Sequence, residues 1–161
     1  MMDKQELYAL LADKNIPYQA YEHTAVYTIE QLQALEIPNR ETILKNLFLR
    51  DQKKRNYYLV SIPGWKNVNL KELDKTLGSG KLSFANEEEL YRYLGLRKGQ
   101  VSPLGVLNDE GKKVVAVFGE SLQGQTVGVH PLDNTATIFM AFSDVARLAE
   151  EHGNRTVYCG F

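Results

Sequence analysis

A lysine lies inside an apolar stretch that has the character of a β-strand. Leu44–Leu49 is rich in apolar residues. Because side chains alternate between the two faces of a strand, Lys45 is expected on the same face as Leu47 and Leu49. An ammonium group among apolar neighbours loses hydration, so it must reach solvent, pair with an acceptor, or meet an anionic or carbonyl-bearing ligand. A strand-end lysine that reaches solvent is the commoner case, so this segment alone leaves both interpretations open.

The histidines are candidates for acid–base chemistry. His130 follows the apolar run Val127–Val129 and precedes Pro131, which fixes the backbone, so its ring could project from a strand end into a cleft. A loop histidine bonded to a neighbouring backbone group is an equally good interpretation on local evidence. His152 falls at the predicted C-terminal end of a helix, where a partly positive imidazole favours the helix dipole, and is interpreted as structural.

The sequence contains no motif for a metal site or a covalent nucleophile. Its three histidines are not in HExxH or Cys/His spacing, and GxSxG and SxxK elements are missing. The single cysteine, Cys159, is expected to be inert. We therefore expect a site without a metal, a cofactor or a side-chain nucleophile.

A glycine-rich loop offers backbone donors instead. Gly99–Gly105 includes Val101, Ser102 and Pro103, a composition too rich in Gly and Pro for a regular helix or strand. Glycine freedom allows several N–H groups to point at one oxygen, as in an oxyanion hole or a phosphate nest. Taken alone, such a segment is more often only a turn.

The composition indicates one globular domain, which we assign to residues 1–161. The chain has 161 residues, 43% of them hydrophobic and 24% charged, enough for one packed core and too few for two. Its 19 Lys and Arg residues nearly balance 20 Asp and Glu residues, so an RNA partner would need a local basic patch. The basic run 53–55 could contact RNA phosphates, although such runs are more often solvated turns.

The sequence predicts a soluble, cytoplasmic protein without membrane association. One cysteine cannot form an internal disulfide, which agrees with a reducing compartment. The polar N-terminus lacks the basic segment and apolar run of a secretory signal, and no later run approaches membrane-spanning length.

The candidate residues must be positioned by the helices and strands around them. Capping residues, helical spacing and short apolar runs predict five helices and eight strands. The predicted helices are one from the cap Asp3 to Asn15, one from the cap Thr28 to Leu35, Leu70–Leu77 after the cap Asn69, one from the capping box Asn86/Glu89 to Gly95, and one from the cap Ser143 to Gly153. The predicted strands are Tyr18–Glu22, Leu44–Leu49, Asn56–Ile62, Lys81–Phe84, Lys113–Phe118, Thr126–Val129, Thr135–Phe142 and Thr156–Cys159.

These elements together indicate an α/β mixed (α+β) fold. A polar run separates Leu44–Leu49 from Asn56–Ile62, so the two are expected to form an antiparallel hairpin. Helices and strands intermingle, and the later strands cluster. We therefore expect a single domain with a mixed, mostly antiparallel, curled sheet and helices packed outside it.

Three motifs, taken in order along nearly the whole chain, resemble the YbaK/prolyl-tRNA synthetase editing-domain family. They are Lys45–Leu49 with Asp51, Gly99–Gly105 with Asn108 and Asp109, and His130–Pro131 with Asn134. Within that family the chain looks most like the freestanding alanyl-tRNA(Pro) deacylases of the ProXp-ala and PrdX type. The family fold, a mixed and mostly antiparallel sheet curled against helices, agrees with the expected elements.

The resemblance implies a trans-editing hydrolase that removes alanine from mischarged proline tRNA, with an oriented water as the nucleophile. It implies that Lys45 contacts the terminal ribose or ester region, that Asn46 and His130 surround the aminoacyl group, and that the loop 99–103 holds the ester carbonyl. Carried over as catalytic residues are Lys45, Gly99 and His130; carried over as substrate-binding residues are His23, Asn46, Val101, Ser102 and Pro103. The implied partners are mischarged proline tRNA and prolyl-tRNA synthetase.

Two alternatives remain open at this point. One is a deacylase for another small misacylated residue, on cysteinyl- or seryl-tRNA, and Asn46 argues against it because the cysteine branch usually has Thr after the lysine. The other is a silent tRNA-binding or regulatory module, and the retained Lys45, glycine loop and His130 argue against that. Thr24 and Trp65 depart from the family pattern, which affects the expected shape of the pocket rim.

Overall fold

In the computed structural model, the whole chain from residue 1 to residue 161 is described, and it forms five α-helices and eight strands. The helices are α1 Lys4–Asp13, α2 Ile29–Gln33, α3 Leu70–Leu77, α4 Glu87–Leu94 and α5 Phe142–His152. The strands are β1 Gln19–Glu22, β2 Leu44–Asp51, β3 Tyr57–Pro63, β4 Leu82–Phe84, β5 Val114–Gly119, β6 Thr126–Val129, β7 Ala136–Ala141 and β8 Thr156–Cys159. None of the helices has the length and apolar character needed to cross a bilayer.

The strands divide between two sheets. The larger sheet has the order β4-β2-β3-β5-β8 and the smaller one β1-β7-β6. β2 and β3 form the predicted antiparallel hairpin, whereas β3–β5 and β5–β8 pair in parallel. The expected α+β class with a mixed sheet is confirmed. The parallel pairs require long crossover connections, and nothing in the local sequence of a strand reports which distant strand it will join.

The larger sheet is buried on both faces. Along β3, Tyr57 and Leu59 belong to the main core with α1, α4 and α5, while Val60 and Ile62 pack on the opposite face with Leu73 of α3. β2 follows the same alternation. Its pattern confirms that Lys45 shares a face with the residues that pack against α3, and that Asn46 shares a face with the main core.

The two sheets touch where β6 meets the residue before β2. Ile43 and Gly128 form an isolated parallel bridge at this point. A Cβ at position 128 would lie 2.8 Å from both Ile43 Cγ1 and Phe139 Cε1, so only glycine permits this approach. Residues from both sides of this bridge line the cavity described below.

Most of the predicted helix caps are confirmed, and one is wrong. The side chains of Asp3, Thr28, Asn69 and Asn86 each accept a backbone N–H of the following first turn, and Asn86 and Glu89 form the predicted capping box. Ser143 does not cap α5, because β7 continues directly into that helix. The N-cap is Ala141, and the N–H of Phe142 donates to the carbonyl of Gln125.

The glycine-rich loop is more ordered than its composition suggests. Pro103–Asn108 forms a 3₁₀ helix, so the expectation of a segment without regular structure was wrong for its second half. Proline is well suited to the first position of a helix, because its missing N–H would have no partner there. The hydroxyl of Ser102 accepts the N–H of Leu104 and caps this segment.

Candidate functional site

A cavity of about 190 Å³ lies beside the bridge between the two sheets, with both Ile43 and Gly128 in its wall. Lys45 and Asn46 line it from β2, Gly99 and Val101 from the glycine-rich loop, and His130 from the end of β6. The rest of the wall is Val26, Tyr27, Thr28, Ile29, Leu32, Ile43, Leu44, Gly128 and Val129. The fold thus brings together residues of three separate motifs of the sequence.

His130 presents one free ring nitrogen to this cavity. Its side chain is 8% exposed, and Nδ1 lies 3.0 Å from the carbonyl oxygen of Ala136. A carbonyl only accepts, so Nδ1 carries the proton and Nε2 is the acceptor. Nε2 has no hydrogen-bond partner in the protein. The only fully buried side-chain polar atom without a partner is the Tyr8 hydroxyl, so Nε2 of His130 must retain some accessible surface. The free acceptor of His130 therefore reaches the cavity.

Burial keeps the His130 ring neutral. Desolvation lowers its pKa below the ordinary value of 6.5, and nearby His23 lowers it further, while the hydrogen bond to Ala136 opposes the shift. A neutral imidazole with a free Nε2 can accept a hydrogen bond from water or from an ammonium group. At neutral pH it acts as an acceptor and not as a fixed positive charge.

His23 lies behind His130 and does not line the cavity. Its ring centre is 6.4 Å from that of His130. Nδ1 lies 2.8 Å from the carbonyl oxygen of Thr24, and Nε2 lies 2.9 Å from the hydroxyl of Thr137. Both ring nitrogens are occupied, so the contacts favour a supporting role over the substrate contact expected from the sequence.

Asn46 joins β2, β3 and the glycine-rich loop. Its Oδ1 accepts the hydroxyl of Ser61 at 2.7 Å, and its Nδ2 donates to the carbonyl of Val101 at 3.4 Å. Ser61 is fully buried and lies directly opposite Asn46 in the hairpin. The Asn46 amide therefore positions the loop, and one of its N–H groups remains for a ligand.

Gly99 allows the loop to pack directly against Tyr27. Its φ of +86° is in the left-handed region, and a Cβ here would lie 2.8 Å from Cδ1 of the Tyr27 ring. The N–H groups of Gly99 and Val101 make no hydrogen bond to a backbone carbonyl. These donors belong to residues of the cavity wall and are available to an oxygen of a ligand.

Asn134 fixes the lip that faces this loop. Its Nδ2 donates to the carbonyl of Val26 at 2.8 Å, and the N–H of Val26 donates back to the Asn134 carbonyl at 3.3 Å. Asn134 is buried, so this reciprocal pair holds the Val26–Tyr27 segment beside His130. The sequence had marked Asn134 only as part of a motif.

Lys45 is anchored at the edge of the cavity. Its Nζ donates to the carbonyl oxygen of Lys66 at 2.7 Å, and its side chain is half-buried. No carboxylate lies within ion-pair distance of it. An ammonium group has three donors, so two remain for a ligand. The lysine is thus neither a purely solvent-exposed side chain nor a member of an ion pair within the protein.

Ser102 and Pro103 do not line the cavity. Ser102 is fully buried and its hydroxyl caps the 3₁₀ segment, and Pro103 is buried at the start of that segment. A capping hydroxyl that has no exposure cannot reach a substrate without local unfolding. These contacts favour a role in shaping the loop over direct substrate binding.

The remaining motif residues stabilise turns. Asp51 accepts from the N–H of Arg55 and from Nδ2 of Asn56, which closes the β2–β3 turn. Asp109 accepts from the N–H of Val114 and from Asn154. The basic run 53–55 lies in the hairpin turn, roughly 25 Å along β2 from Lys45 at about 3.3 Å per residue.

Some wall residues were not predicted. Ile29 and Leu32 of α2 line one side, and Ser61 buttresses Asn46 from behind. Ser61 carried a weak signal, as the one serine among the apolar and aromatic residues of the run Tyr57–Ile62. The α2 residues carried none, because their approach to β2 depends on the whole fold. The structure has no cluster of three or more His, Cys, Asp or Glu side chains that could hold a metal ion.

Comparison with known proteins identifies the family. Residues 23–148 match the aminoacyl-tRNA editing domain. The chain is 46% identical over 152 residues to the Prolyl-tRNA editing protein ProX of Acetoanaerobium sticklandii, covering 94% of this chain and 93% of that protein. It is 34% identical over 161 residues to the Prolyl-tRNA synthetase associated domain-containing protein 1 of Danio rerio, covering 98% and 87%.

Solved structures share the fold. The crystal structure of a candidate trans-editing enzyme for prolyl tRNA synthetase superposes with a TM-score of 0.70 at 20% identity, covering 100% of this chain and 99% of that one. The resemblance seen in the Lys45, Gly99 and His130 motifs is therefore confirmed. The chain belongs to the aminoacyl-tRNA editing domain family.

Proposed function

We propose that this chain hydrolyses the ester bond of mischarged tRNA(Pro) and releases alanine, acting in trans to prolyl-tRNA synthetase. Membership of the editing family supports aminoacyl-ester hydrolysis. The relatives named as a prolyl-tRNA editing protein and as prolyl-tRNA synthetase associated proteins support tRNA(Pro) as the partner. They match nearly the full length of this chain, which supports residues 1–161 as one catalytic unit.

The observation that carries the proposal is the chemistry of the cavity. It combines the free acceptor of neutral His130, the unpaired N–H groups of Gly99 and Val101, and the partly free ammonium of Lys45. No serine, threonine or cysteine is paired with a base there. This set suits a reaction in which a water molecule, and not the protein, attacks an ester that is already activated.

The proposed reaction is the hydrolysis of the aminoacyl ester by one water molecule. Water adds to the ester carbonyl carbon, and the resulting oxyanion accepts hydrogen bonds from the Gly99 and Val101 N–H groups. The bond between that carbon and the terminal ribose oxygen then breaks, and the ribose oxygen leaves with a proton that water supplied. Nε2 of His130 orients the water or the α-ammonium group. Lys45 donates to the ribose or ester oxygens as charge develops on them.

Alanine is supported by the size and polarity of the cavity. Val26, Ile29, Leu32 and Ile43 make one part of the wall apolar, and this part suits a methyl side chain. A prolyl ring adds two further carbon atoms and closes the chain onto the nitrogen, so it would have to displace wall residues or the oriented water.

The proposal is tested by incubating the pure protein with alanyl-, cysteinyl- and seryl-tRNA(Pro) and measuring release of each labelled amino acid. We expect alanine to be released fastest. Fastest release of cysteine or serine would keep the hydrolase and change its substrate. Binding of tRNA without release of any amino acid would show a non-catalytic module and contradict the proposal.

A further inference from the structure

The only tryptophan of the chain is exposed on its surface. Trp65 is 72% exposed, more than any other large hydrophobic residue in the protein. It follows β3 directly after Gly64. An exposed indole has no packing role in its own fold, and flat aromatic faces are the usual surface on which unpaired nucleotide bases stack.

Trp65 lies beside the catalytic cavity. It lines a second groove of about 230 Å³, and Leu44 lines both this groove and the cavity that holds His130. The next residue, Lys66, accepts the hydrogen bond from Nζ of Lys45 at its carbonyl. One short segment therefore carries both an exposed ring and a direct contact with a residue of the cavity wall.

The charges around the ring favour a phosphate on one side. Nζ of Lys66 lies 6.0 Å from the centre of the indole ring, and no carboxylate forms an ion pair with it. Glu41 lines the same groove and is the one carboxylate there. A nucleotide on Trp65 would place its phosphate near Lys66 and away from Glu41.

Other exposed aromatic residues fit this role less well. Tyr27 lines the cavity itself and packs against Gly99, where Cδ1 of its ring would lie 2.8 Å from an added Cβ, so it belongs to the wall around the aminoacyl group. Tyr91 lines neither the cavity nor the groove. Phe84 is exposed on β4 and lines neither the cavity nor the groove.

The covalent structure of the substrate sets the distance between the ester and the base of the terminal nucleotide. The amino acid of an aminoacyl-tRNA is esterified to the terminal ribose, whose own base is one bond from the same sugar. With the ester in the cavity, that base must lie at the cavity mouth. We propose that Trp65 is the stacking platform for the base of the terminal adenosine, with Lys66 beside its phosphate. The proposal rests on the proposed function, because it needs an aminoacyl ester in the cavity.

A double comparison of protein and RNA tests this. Uncharged tRNA(Pro) is prepared with and without its terminal adenosine, and the dissociation constant of each is measured for three proteins: the wild type, Trp65→Ala and Phe84→Ala. We expect removal of the adenosine to weaken binding by the wild type about 5- to 150-fold, the range for loss of one stacked base. In Trp65→Ala the same removal should have a clearly smaller effect, because only the ribose and phosphate contacts with Lys45 and Lys66 remain to be lost, whereas the matched control Phe84→Ala should behave as the wild type.

The fluorescence of the single tryptophan gives an independent signal. We expect intact tRNA(Pro) to quench it and tRNA lacking the terminal adenosine to leave it unchanged. Thermal melting of Trp65→Ala should match the wild type, because the ring is exposed. The hydrolysis rate of alanyl-tRNA(Pro) is measured alongside, so that the proposed function is tested in the same samples.

The outcomes separate the two proposals. If the wild type hydrolyses alanyl-tRNA(Pro) but Trp65→Ala keeps the full dependence on the adenosine, the stacking platform is wrong and the proposed function stands. If Trp65→Ala loses association with prolyl-tRNA synthetase and no affinity for tRNA, the ring belongs to a protein interface and the platform is again wrong. If the wild type neither binds nor hydrolyses the tRNA, both proposals fail.

Discussion

At the scale of single residues, the site consists of side chains whose contacts within the protein leave at least one hydrogen-bond donor or acceptor free. His130 uses Nδ1 on Ala136 and keeps Nε2, and Lys45 uses one donor on Lys66 and keeps two. Each group is thereby held in one orientation before a substrate arrives. Such preorganised donors and acceptors stabilise developing charge without a cost for reorientation at the moment of reaction.

The role of Lys45 leads to the first prediction. Lys45→Ala should lower the deacylation rate by about 10²–10³, the usual loss for one charge-stabilising donor, and leave the fold intact. Lys75→Ala, which removes an exposed and unpaired lysine from α3, should keep the wild-type rate. Initial rates and thermal melts of both variants check this. Near-normal deacylation by Lys45→Ala would remove the lysine from the mechanism.

Gly99 should tolerate no side chain. Gly99→Ala meets both a left-handed φ and the Tyr27 ring, so activity should fall together with stability. Gly124→Ala is the matched control, because Gly124 has φ +79° but open space at its Cβ position. It should cost only the ~1–2 kcal/mol of the left-handed conformation and keep the deacylation rate. Equal behaviour of the two variants in melting and rate assays would contradict the close approach.

The lowered pKa of His130 predicts a pH dependence of stability. In the unfolded chain the ring takes up a proton near its ordinary pKa of 6.5, whereas folded His130 resists protonation because it is desolvated. The unfolded state then binds more protons, so the free energy of unfolding should decrease as pH falls below 6.5 and be unaffected above it, with a limit of about 1.4 kcal/mol per pH unit.

Melting curves between pH 5 and pH 8 for the wild type and His130→Asn measure this effect. The asparagine can still donate to the Ala136 carbonyl but cannot be protonated, so its variant should lose this part of the pH dependence. His152→Gln, at the end of α5, serves as the matched control. An unchanged slope in His130→Asn would show that His130 is protonated equally in the folded and unfolded states.

Part of the wall of the candidate cavity could be predicted from the sequence, because it consists of residue types with distinctive chemistry. Lys45, the free-donor loop at Gly99 and His130 were singled out by residue type and by resemblance, and all line one cavity. Ser102 and His23 were assigned to the substrate, but their polar atoms are occupied within the protein. Whether a hydroxyl or imidazole is already satisfied depends on distant partners, which local sequence does not reveal.

At the scale of elements, the β2–β3 hairpin sets the position of the catalytic loop. Its register places Ser61 opposite Asn46, and the Asn46 amide then reaches Val101. Both strands are buried on both faces, so a slip of one residue would exchange their side chains between the two cores and move Lys45 to the side of the main core. The burial pattern thus fixes the geometry of the loop.

This arrangement predicts the effect of Ser61→Ala. The variant leaves Oδ1 of Asn46 without its buried donor, which should cost about 1 kcal/mol of stability and lower the deacylation rate by about tenfold as the loop loosens. Ser83→Ala, an exposed serine on β4, is the matched control and should change neither quantity. A normal rate in Ser61→Ala would show that Asn46 positions the loop unaided.

Element boundaries were predictable where the signal is local. Asp3, Thr28, Asn69 and Asn86 cap helices through contacts within three residues, so residue type and spacing suffice. The prediction that Ser143 caps α5 was wrong because β7 enters α5 without a break. The division into two sheets and the parallel pairing of β5 depend on contacts between distant segments, which no local pattern encodes.

At the scale of the whole molecule, contact with tRNA and selection of the amino acid are expected to depend on different parts of the structure. The net charge of −1 gives no general attraction to RNA, so contact with tRNA must come from local groups such as Lys45 and Lys66 near the cavity. In the proposed function the amino acid is selected in the cavity, whose walls come from both sheets and from α2.

A cavity that selects by size compensates for a limit of any synthetase pocket. A pocket shaped for proline cannot strongly exclude smaller alanine, since a missing methylene changes binding by only ~1–3 kcal/mol. A second site can instead admit the methyl group and exclude the pyrrolidine ring by steric conflict. Under the proposed function, correctly charged prolyl-tRNA(Pro) would then be spared and the mischarged product hydrolysed.

The most direct test of this account compares the initial deacylation rates of alanyl-tRNA(Pro) and prolyl-tRNA(Pro) on the same tRNA, under one set of conditions. The tRNA contacts are then identical, so the ratio of rates reports the cavity alone. We expect alanine to be released faster by on the order of 100-fold. Comparable release of proline and alanine would contradict selection by size in this cavity, and with it the assignment of the protein as an alanyl-tRNA(Pro) deacylase.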